Sequence, residues 1–379
     1  MNLPTEGAAS ARGDSAGDII KAPRKMGELQ KTITMAQIAK AAGVSQGAIS
    51  SLLNDRDYGI RVSEKTRERV FKVCREMGYI PNDLRAVVRM YPEFGEFCLL
   101  FSSGISGGIA HPLCARIAAG ALGAVPEPSH PVTFAFYDEG RDYTQDQESL
   151  PQPARTGIAS KFLTYGIPNA SLIQALTRRS FPVLSLGHDV PLPGVLSLLP
   201  DYVQGARAAI ELLSKLGHTN IGIISGTFGA TDTQTLELNR GVRLACEEFG
   251  IPLEPHHIIY GELTDAAGRS ALDELLARKP VPTAVFCMSD IAAAAVLSQA
   301  AARGLQVPRD LSVIGCGDDA GTQLLHPRLT TIHVPAEEMG AIGVREIDRL
   351  VREGLPASPH RTLLPVGLAM RDSTAAPRK

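Results

Sequence analysis

Near one end of this chain, Gln46, Gly47, Ala48, Ser50 and Ser51 form a run of small and polar side chains. Such residues can read base edges in a DNA groove. A glutamine can pair with the N6 and N7 atoms of an adenine, and Gly47 or Ala48 leaves room for a thymine methyl group. Polar groups around them, at Thr34, Ser45, Ser50 and Asn54, can donate to phosphates and fix the register, with Arg61, Arg85 and Arg89 nearby in sequence.

Reading bases requires a rigid mount, and the surrounding sequence supplies one. Met35, Ile38, Ala39 and Ala42 recur at the spacing of one helix face. Gly43 breaks that helix, because glycine takes the left-handed conformation of a tight turn. Val44 plugs the corner and Ser45 caps a second helix, whose inward residues are Ala48, Ile49, Leu52 and Leu53. Two short helices joined by a glycine turn predict a helix-turn-helix, which lays its second helix in the major groove. A third helix opens at Val62–Val70, with Ser63 as its cap and Glu64 in its first turn, and stops at Gly78.

The charge distribution agrees. The 379 residues carry a net charge of −2, but residues 31–90 hold 11 Lys/Arg against 6 Asp/Glu, and the long remainder after residue 90 is acidic. A basic head on an acidic body suits a protein that holds a polyanion with one end. Six cysteines form no Cys-x-x-Cys pair, and several sit in apolar runs such as Phe97–Phe101. They read as buried reduced thiols in a reducing cytoplasm. No apolar run approaches the ~18 residues of a membrane span, and the N-terminus shows no signal-peptide core. A cytoplasmic protein without a membrane partner is expected.

From Glu96 onward apolar strand-like runs alternate with helical stretches. The runs are 97–101, 132–136, 161–165, 183–186, 221–224, 257–260, 284–287 and 312–315, with a last strand near 363–370. That alternation predicts an α/β body of parallel sheets covered on both faces, in two doubly wound lobes. A ligand crevice would lie at the strands' carboxyl ends. Residues 141–158 should hold a helix, but Pro151 and Pro153 make that stretch short or irregular.

The order TMAQIAKAAGVS, AISSLLN, VSEKTRERV and GYIPN resembles the lac repressor (LacI/GalR) family, and later landmarks such as LGHTNIGIISG and HPRLTTIHVPAEEMG extend the resemblance to about Ser373. The domain reading is a disordered tail (1–31), a helix-turn-helix head (32–80), a hinge helix or linker (81–91), and a periplasmic-binding-protein-like body for effector binding and dimerisation (96–373). The resemblance implies a homodimer on a near-palindromic double-stranded DNA operator. It also implies hinge helices entering the minor groove, where Asn82, Arg85 and Arg89 lie in the hinge and the apolar wedge maps to Val88. Serine at 51 stands where many members place a guanine-reading arginine.

Family members bind a small molecule between the lobes, and here the corresponding positions depart from the pattern. In this register the ligand-gripping arginine is Leu236, and the Gly-aromatic-Asp-Asp loop is Gly315-Cys316-Gly317-Asp318. The Asn-Asp pair is Ser289-Asp290, the Asp-Asn pair is Asp201-Tyr202, and an arginine of the preceding loop is His188. With His111, the effector candidates are His111, His188, Asp201, Leu236, Ser289, Asp290, Cys316 and Asp318. Losing a cationic fork and a carboxylate removes groups that satisfy a polyol. A less polar ligand, a ligand gripped by the His/Asp set, and a degenerate pocket in an effector-independent regulator all stay open. Capping of helix N-termini is the competing role for Asp201 and Asp290.

No Gly-x-Ser-x-Gly elbow, P-loop, dinucleotide fingerprint or His-x-x-x-His occurs, and the adjacent His256-His257 do not fit zinc spacing. An enzyme is not expected, nor is a metal or cofactor. The expected function is a sequence-specific transcription regulator, a repressor rather than an activator, modulated through the interlobe cleft.

Overall fold

A computed structural model describes residues 33–54, 62–77, 79, 95–105, 107–125, 131–145, 147–179, 181–227, 232–354 and 358–378. Residues 1–32, 55–61 and 80–94 lie outside these residues, and with them the readings for Arg61, Asn82, Arg85, Val88 and Arg89.

The head contains α1 (Met35–Ala42), α2 (Gln46–Asn54) and α3 (Glu64–Met77). Ile38, Ala39, Ala42, Ile49, Leu52, Leu53, Val70 and Cys74 form its core, with Val44 packed at the corner. Capping fixes the angles. The Thr34 side chain accepts from the Gln37 N–H while Gln37 accepts from the Thr34 N–H, a reciprocal capping box. Gly43 ends α1 in the left-handed region at φ 63°.

The body has two six-stranded sheets. One runs β11-β5-β4-β3-β1-β2 and is parallel throughout: β1 (Glu96–Ser102), β2 (Val132–Tyr137), β3 (Ala159–Tyr165), β4 (Val183–Leu186), β5 (Val195–Pro200) and β11 (His360–Leu364). The other runs β12-β10-β9-β8-β6-β7: β6 (Ile221–Ser225), β7 (Ile258–Tyr260), β8 (Ala284–Cys287), β9 (Ser312–Gly317), β10 (Thr330–His333) and β12 (Gly367–Ala369), of which β12 alone is antiparallel. Strands β3, β4, β5, β6, β8 and β9 are buried along their whole length, as unbroken apolar runs covered on both faces require. Edge strand β2 leaves Phe136 exposed.

Helices α4 (Pro112–Ala124), α5 (Gln152–Thr156) and α6 (Ala170–Thr177) belong to the first lobe, and α7 (Tyr202–Leu216), α8 (Thr233–Glu248), α9 (Asp265–Ala277) and α10 (Asp290–Ala302) to the second. Helix α11 (Ala336–Glu353) follows a strand of the second sheet but packs on α4 and the first. The chain therefore crosses between lobes at 200–202, 334–336 and 364–367, and the first and last crossings are tied by the Asp201 N–H donating to the Leu364 carbonyl (2.8 Å).

Two expectations are corrected. The single last strand near 363–370 is two strands, β11 and β12, one in each sheet, because the chain changes lobe at Pro365-Val366. Strands β5 and β10 had not been singled out. The stretch 141–158 is irregular as expected: a 3-10 turn at Gln147–Ser149 precedes α5, which begins after Pro151 and is five residues long.

Candidate nucleic-acid interface and interlobe cleft

In the head, the Ser45 side chain accepts from the Ala48 N–H (3.1 Å), and the Ser45 carbonyl accepts from the Ile49 N–H. This cap starts α2 with a fixed rotation. Ile49, Leu52 and Leu53 point into the core, leaving Gln46 exposed and Gly47, Ser50 and Ser51 half-buried. Ala48 is only 7 % exposed, so it belongs with the inward residues, and the outward-facing candidates of this turn are Gln46, Gly47, Ser50 and Ser51. Asn54 closes α2; its side chain lies outside the described set. Thr34 and Ser45 spend their side chains on caps.

In the body, Tyr165 is the last residue of β3 and is buried. That ring lies edge-on to His188, 6.4 Å between centroids. Its phenol is raised well above the ordinary value by burial, with the charges of Asp319 and Asp232 from the second lobe adding to the effect. Tyr202, on α7, is buried close by, and its hydroxyl donates to the Gln234 carboxamide (3.4 Å).

The sequence candidates separate into two groups. His188 is 7 % exposed; burial holds its imidazole below the ordinary pKa, and Nδ1 has no partner. His111 occupies the cap position of α4 without capping it; burial likewise favours its neutral form, and its Nδ1 is also unpartnered. The other candidates are committed elsewhere. Asp201 caps α7 by accepting from the Gln204 N–H (3.0 Å), and Ser289 caps α10. Asp290 is not a cap. It is buried under the loop after β9, where its carboxylate accepts from Thr331 Oγ1 (2.5 Å) and the Asp319 N–H (2.9 Å), and burial raises its pKa. Asp318 is held by Arg371 and His333. Cys316 is buried and its thiol pushed far up by desolvation. Leu236 is 53 % exposed on α8, and the side chain of that turn reaching the facing elements is Gln234, whose amide also meets the Met288 carbonyl (3.4 Å).

Gly317 explains one departure from the family pattern. It sits at φ 146°, and a Cβ there would lie 2.9 Å from Asp290 Oδ2. An aspartate at 317 would be strained and would press against a buried carboxylate.

Three charged groups between the lobes were not among the sequence candidates. Asp319 is pushed up to about 6 by burial and by its neighbour Asp290, and its Oδ1 has no hydrogen-bond partner. Only its place beside Asp318 in the loop hinted at a role. Arg116, on α4, joins the lobes: its guanidinium donates to the Gly317 and Asp318 carbonyls, to the Val334 carbonyl and to Glu337, and lies 3.7 Å from Asp319. Arg361, in β11, bridges Asp189 of the first lobe and Glu237 of the second. Neither arginine carries a local sequence signal. Among the described residues no group of His, Cys, Asp and Glu could hold a metal ion, and no helix is long and apolar enough to cross a membrane.

Comparison with known proteins places this architecture. Residues 34–82 match the bacterial regulatory proteins of the lacI family, and residues 210–374 match the periplasmic binding protein-like domain. The HTH-type transcriptional regulator DegA of Bacillus subtilis (strain 168) is 31 % identical over 349 residues, covering 90 % of this chain and 98 % of DegA. The HTH-type transcriptional repressor CytR of Escherichia coli (strain K12) is 31 % identical over 320 residues, covering 81 % and 86 %. Among solved structures, a transcriptional regulator CelR–cellobiose complex superposes with a TM-score of 0.62 at 26 % identity, covering 90 % of this chain and 99 % of that one. A lac repressor dimer bound to operator and the anti-inducer ONPF shares the fold, with a TM-score of 0.60 at 22 % identity, over 91 % and 100 %. This chain belongs to the LacI family of bacterial regulatory proteins and is a DNA-binding transcriptional regulator, not an enzyme.

Proposed function

We propose that the protein is a cytoplasmic repressor that binds a near-palindromic operator as a homodimer and is modulated by a small molecule held between its lobes. The observation carrying this reading is the pairing of an outward α2 edge (Gln46, Gly47, Ser50, Ser51) with buried polar atoms that lack a hydrogen bond in both lobes, His111 and His188 Nδ1 in one and Asp319 Oδ1 in the other. Buried polar groups without partners are costly, and a site that keeps them is one a ligand completes. Those atoms favour an occupied pocket over the effector-independent alternative. The relative CytR is a repressor, the lac repressor neighbour is a dimer on operator, and the CelR neighbour holds cellobiose, all of which support the same reading.

In mechanism, Gln46 and the α2 edge read bases, and Asn82, Arg85, Val88 and Arg89 serve the hinge. The crossings at Asp201, Val334 and Pro365 let the lobes change their angle. A ligand that fits one angle better shifts the equilibrium between states, and the hinge passes that shift to the head. The test is selection of duplexes from a random pool by the full-length protein, followed by fluorescence anisotropy. Recovery of a palindromic site, a dimer-to-duplex stoichiometry and a steep fall of affinity with salt are expected. A protein that binds all duplexes equally, or as a monomer, refutes the reading.

A further inference from the structure

The chemistry of the unpartnered atoms goes further than the existence of a pocket. The guanidiniums available to grip an anion there are spent. Arg116 is committed to three backbone carbonyls and Glu337, Arg371 to Asp318, the Leu329 carbonyl and Thr322, and Arg361 to Asp189 and Glu237. Carboxyl groups outnumber them, because Asp232, Asp290 and Asp319 also lie at this end of the sheets. What remains without a hydrogen bond is Asp319 Oδ1, which faces Arg116 Nη1 at 3.7 Å, and the Nδ1 atoms of His111 and His188. His188 is more than nine-tenths buried, with Asp232 acting on its imidazole and its ring standing against Tyr165. The Asp319 carboxylate acts on the same Tyr165, as does Cys114, one turn along α4 from His111. Of these groups His188 is in ring contact with Tyr165, 6.4 Å between centroids.

We propose that the interlobe cleft takes a small molecule bearing a protonated amine, with Asp319 Oδ1 and the imidazole Nδ1 atoms of His111 and His188 as its acceptors. A neutral imidazole can accept at Nδ1, and a carboxylate accepts at both oxygens. Burial, which disfavours the charged imidazole, keeps both histidines able to accept. A primary ammonium donates three hydrogen bonds, and its charge is attracted by the surplus carboxylates and by the faces of Tyr165 and Tyr202. A carboxylate or phosphate would meet acceptors and negative charge, and a neutral hydroxyl brings one donor where three acceptors wait.

The proposal rests on the cleft being a ligand site, and its test separates the two. Full-length protein is titrated with D-glucosamine, D-galactosamine, putrescine and cadaverine, with the matched neutral sugars D-glucose and D-galactose, and with the matched anions D-glucuronate and D-galacturonate. Melting temperature and calorimetric binding are the readouts. At least one amine should give a saturable rise, with its neutral or anionic counterpart bound at least tenfold more weakly. Asp319→Asn should weaken that amine at least tenfold while changing the binding of the matched neutral sugar by less than threefold, and His188→Leu should act in the same direction. Equal or tighter binding of a matched sugar or uronate, no response to any amine, or an unaltered response in both variants overturns the proposal. If operator binding persists when no amine binds, the regulator reading stands and this inference fails; if amines bind but no duplex is selected, the reverse holds.

Discussion

In the head, the capping groups that start and end the first two helices lie within four residues of the groups they serve. Thr34 caps through Gln37, Ser45 through Ala48, and Gly43 turns between them. The cleft is held by partners far apart in the chain. Asp290 accepts from the Asp319 backbone 29 residues on and from Thr331 41 residues on, and Arg116 reaches Gly317 and Val334 across 201 and 218 residues. A local device can be altered with a small and local cost, whereas a long-range one couples the lobes, so its loss is large and felt at a distance. This difference is open to direct challenge.

The sharpest challenge is Arg116→Ala. Its side chain is 14 % exposed, and removal takes one donor each from the Gly317, Asp318 and Val334 carbonyls and the ion-pair partner from Glu337. Breaking a nearly buried charged network of this kind costs about 3–5 kcal/mol. Urea unfolding of the body should show a loss of that order, together with altered cleft geometry by small-angle scattering. A loss below about 1 kcal/mol, the value of an exposed pair, would mean that the lobes are not joined through Arg116.

Gly317→Asp tests the same loop at a somewhat smaller scale. The backbone at φ 146° and a Cβ only 2.9 Å from the Asp290 carboxylate predict a loss of about 2–4 kcal/mol by strain and like-charge repulsion. Gly317→Ala should cost less, because it adds the strain without the charge. If the two substitutions are equal, Asp290 is not the group that excludes a side chain there.

Asp319 gives a smaller, pH-dependent effect. Its folded pKa is raised to about 6 by burial beside Asp290, above the ordinary carboxylate value near 3.8. The folded state therefore binds the proton more tightly than the unfolded state. The contribution is fully present below pH ~4 and is lost as pH rises through ~6, on the order of 1–2 kcal/mol. Asp319→Asn should flatten the stability profile between those values. A profile unchanged by this substitution would place the titration elsewhere.

These contrasts explain which features could be read in advance. Strand–helix alternation and the caps of the head are written in neighbouring residues, so the α/β body, the helix-turn-helix and the broken helix near Pro151 were legible. The split of the last strand was not, because nothing in residues 363–370 says that β11 and β12 join different sheets. Within the cleft, residue type identified polar candidates but not their commitments. Asp201 and Ser289 are caps, and Asp290 and Asp318 are satisfied by residues that only the fold brings near. Asp319 was adjacent to a chosen residue and overlooked because position 318 turns its carboxylate to Arg371 at φ 56°, which no local pattern announces.

The smallest expected effects lie in the head, and their size is the point of the comparison. Ser45→Ala removes one acceptor from the first turn of α2, and Thr34→Ala removes half of the capping box of α1. Each should cost about 1 kcal/mol of local stability, roughly a fivefold change in equilibrium. Because the caps act only within their own helices, the unfolding midpoint of the body and its response to pH should not move. Hydrogen exchange at the Ala48 and Gln37 amides should accelerate about fivefold, and operator affinity should fall by no more than a similar factor. Ser45→Asp, which retains a capping oxygen, should restore the exchange protection, while its added charge near the DNA keeps operator binding weak. If either alanine substitution shifts the body transition, the head and the cleft are energetically one unit, and the contrast between local and long-range construction fails.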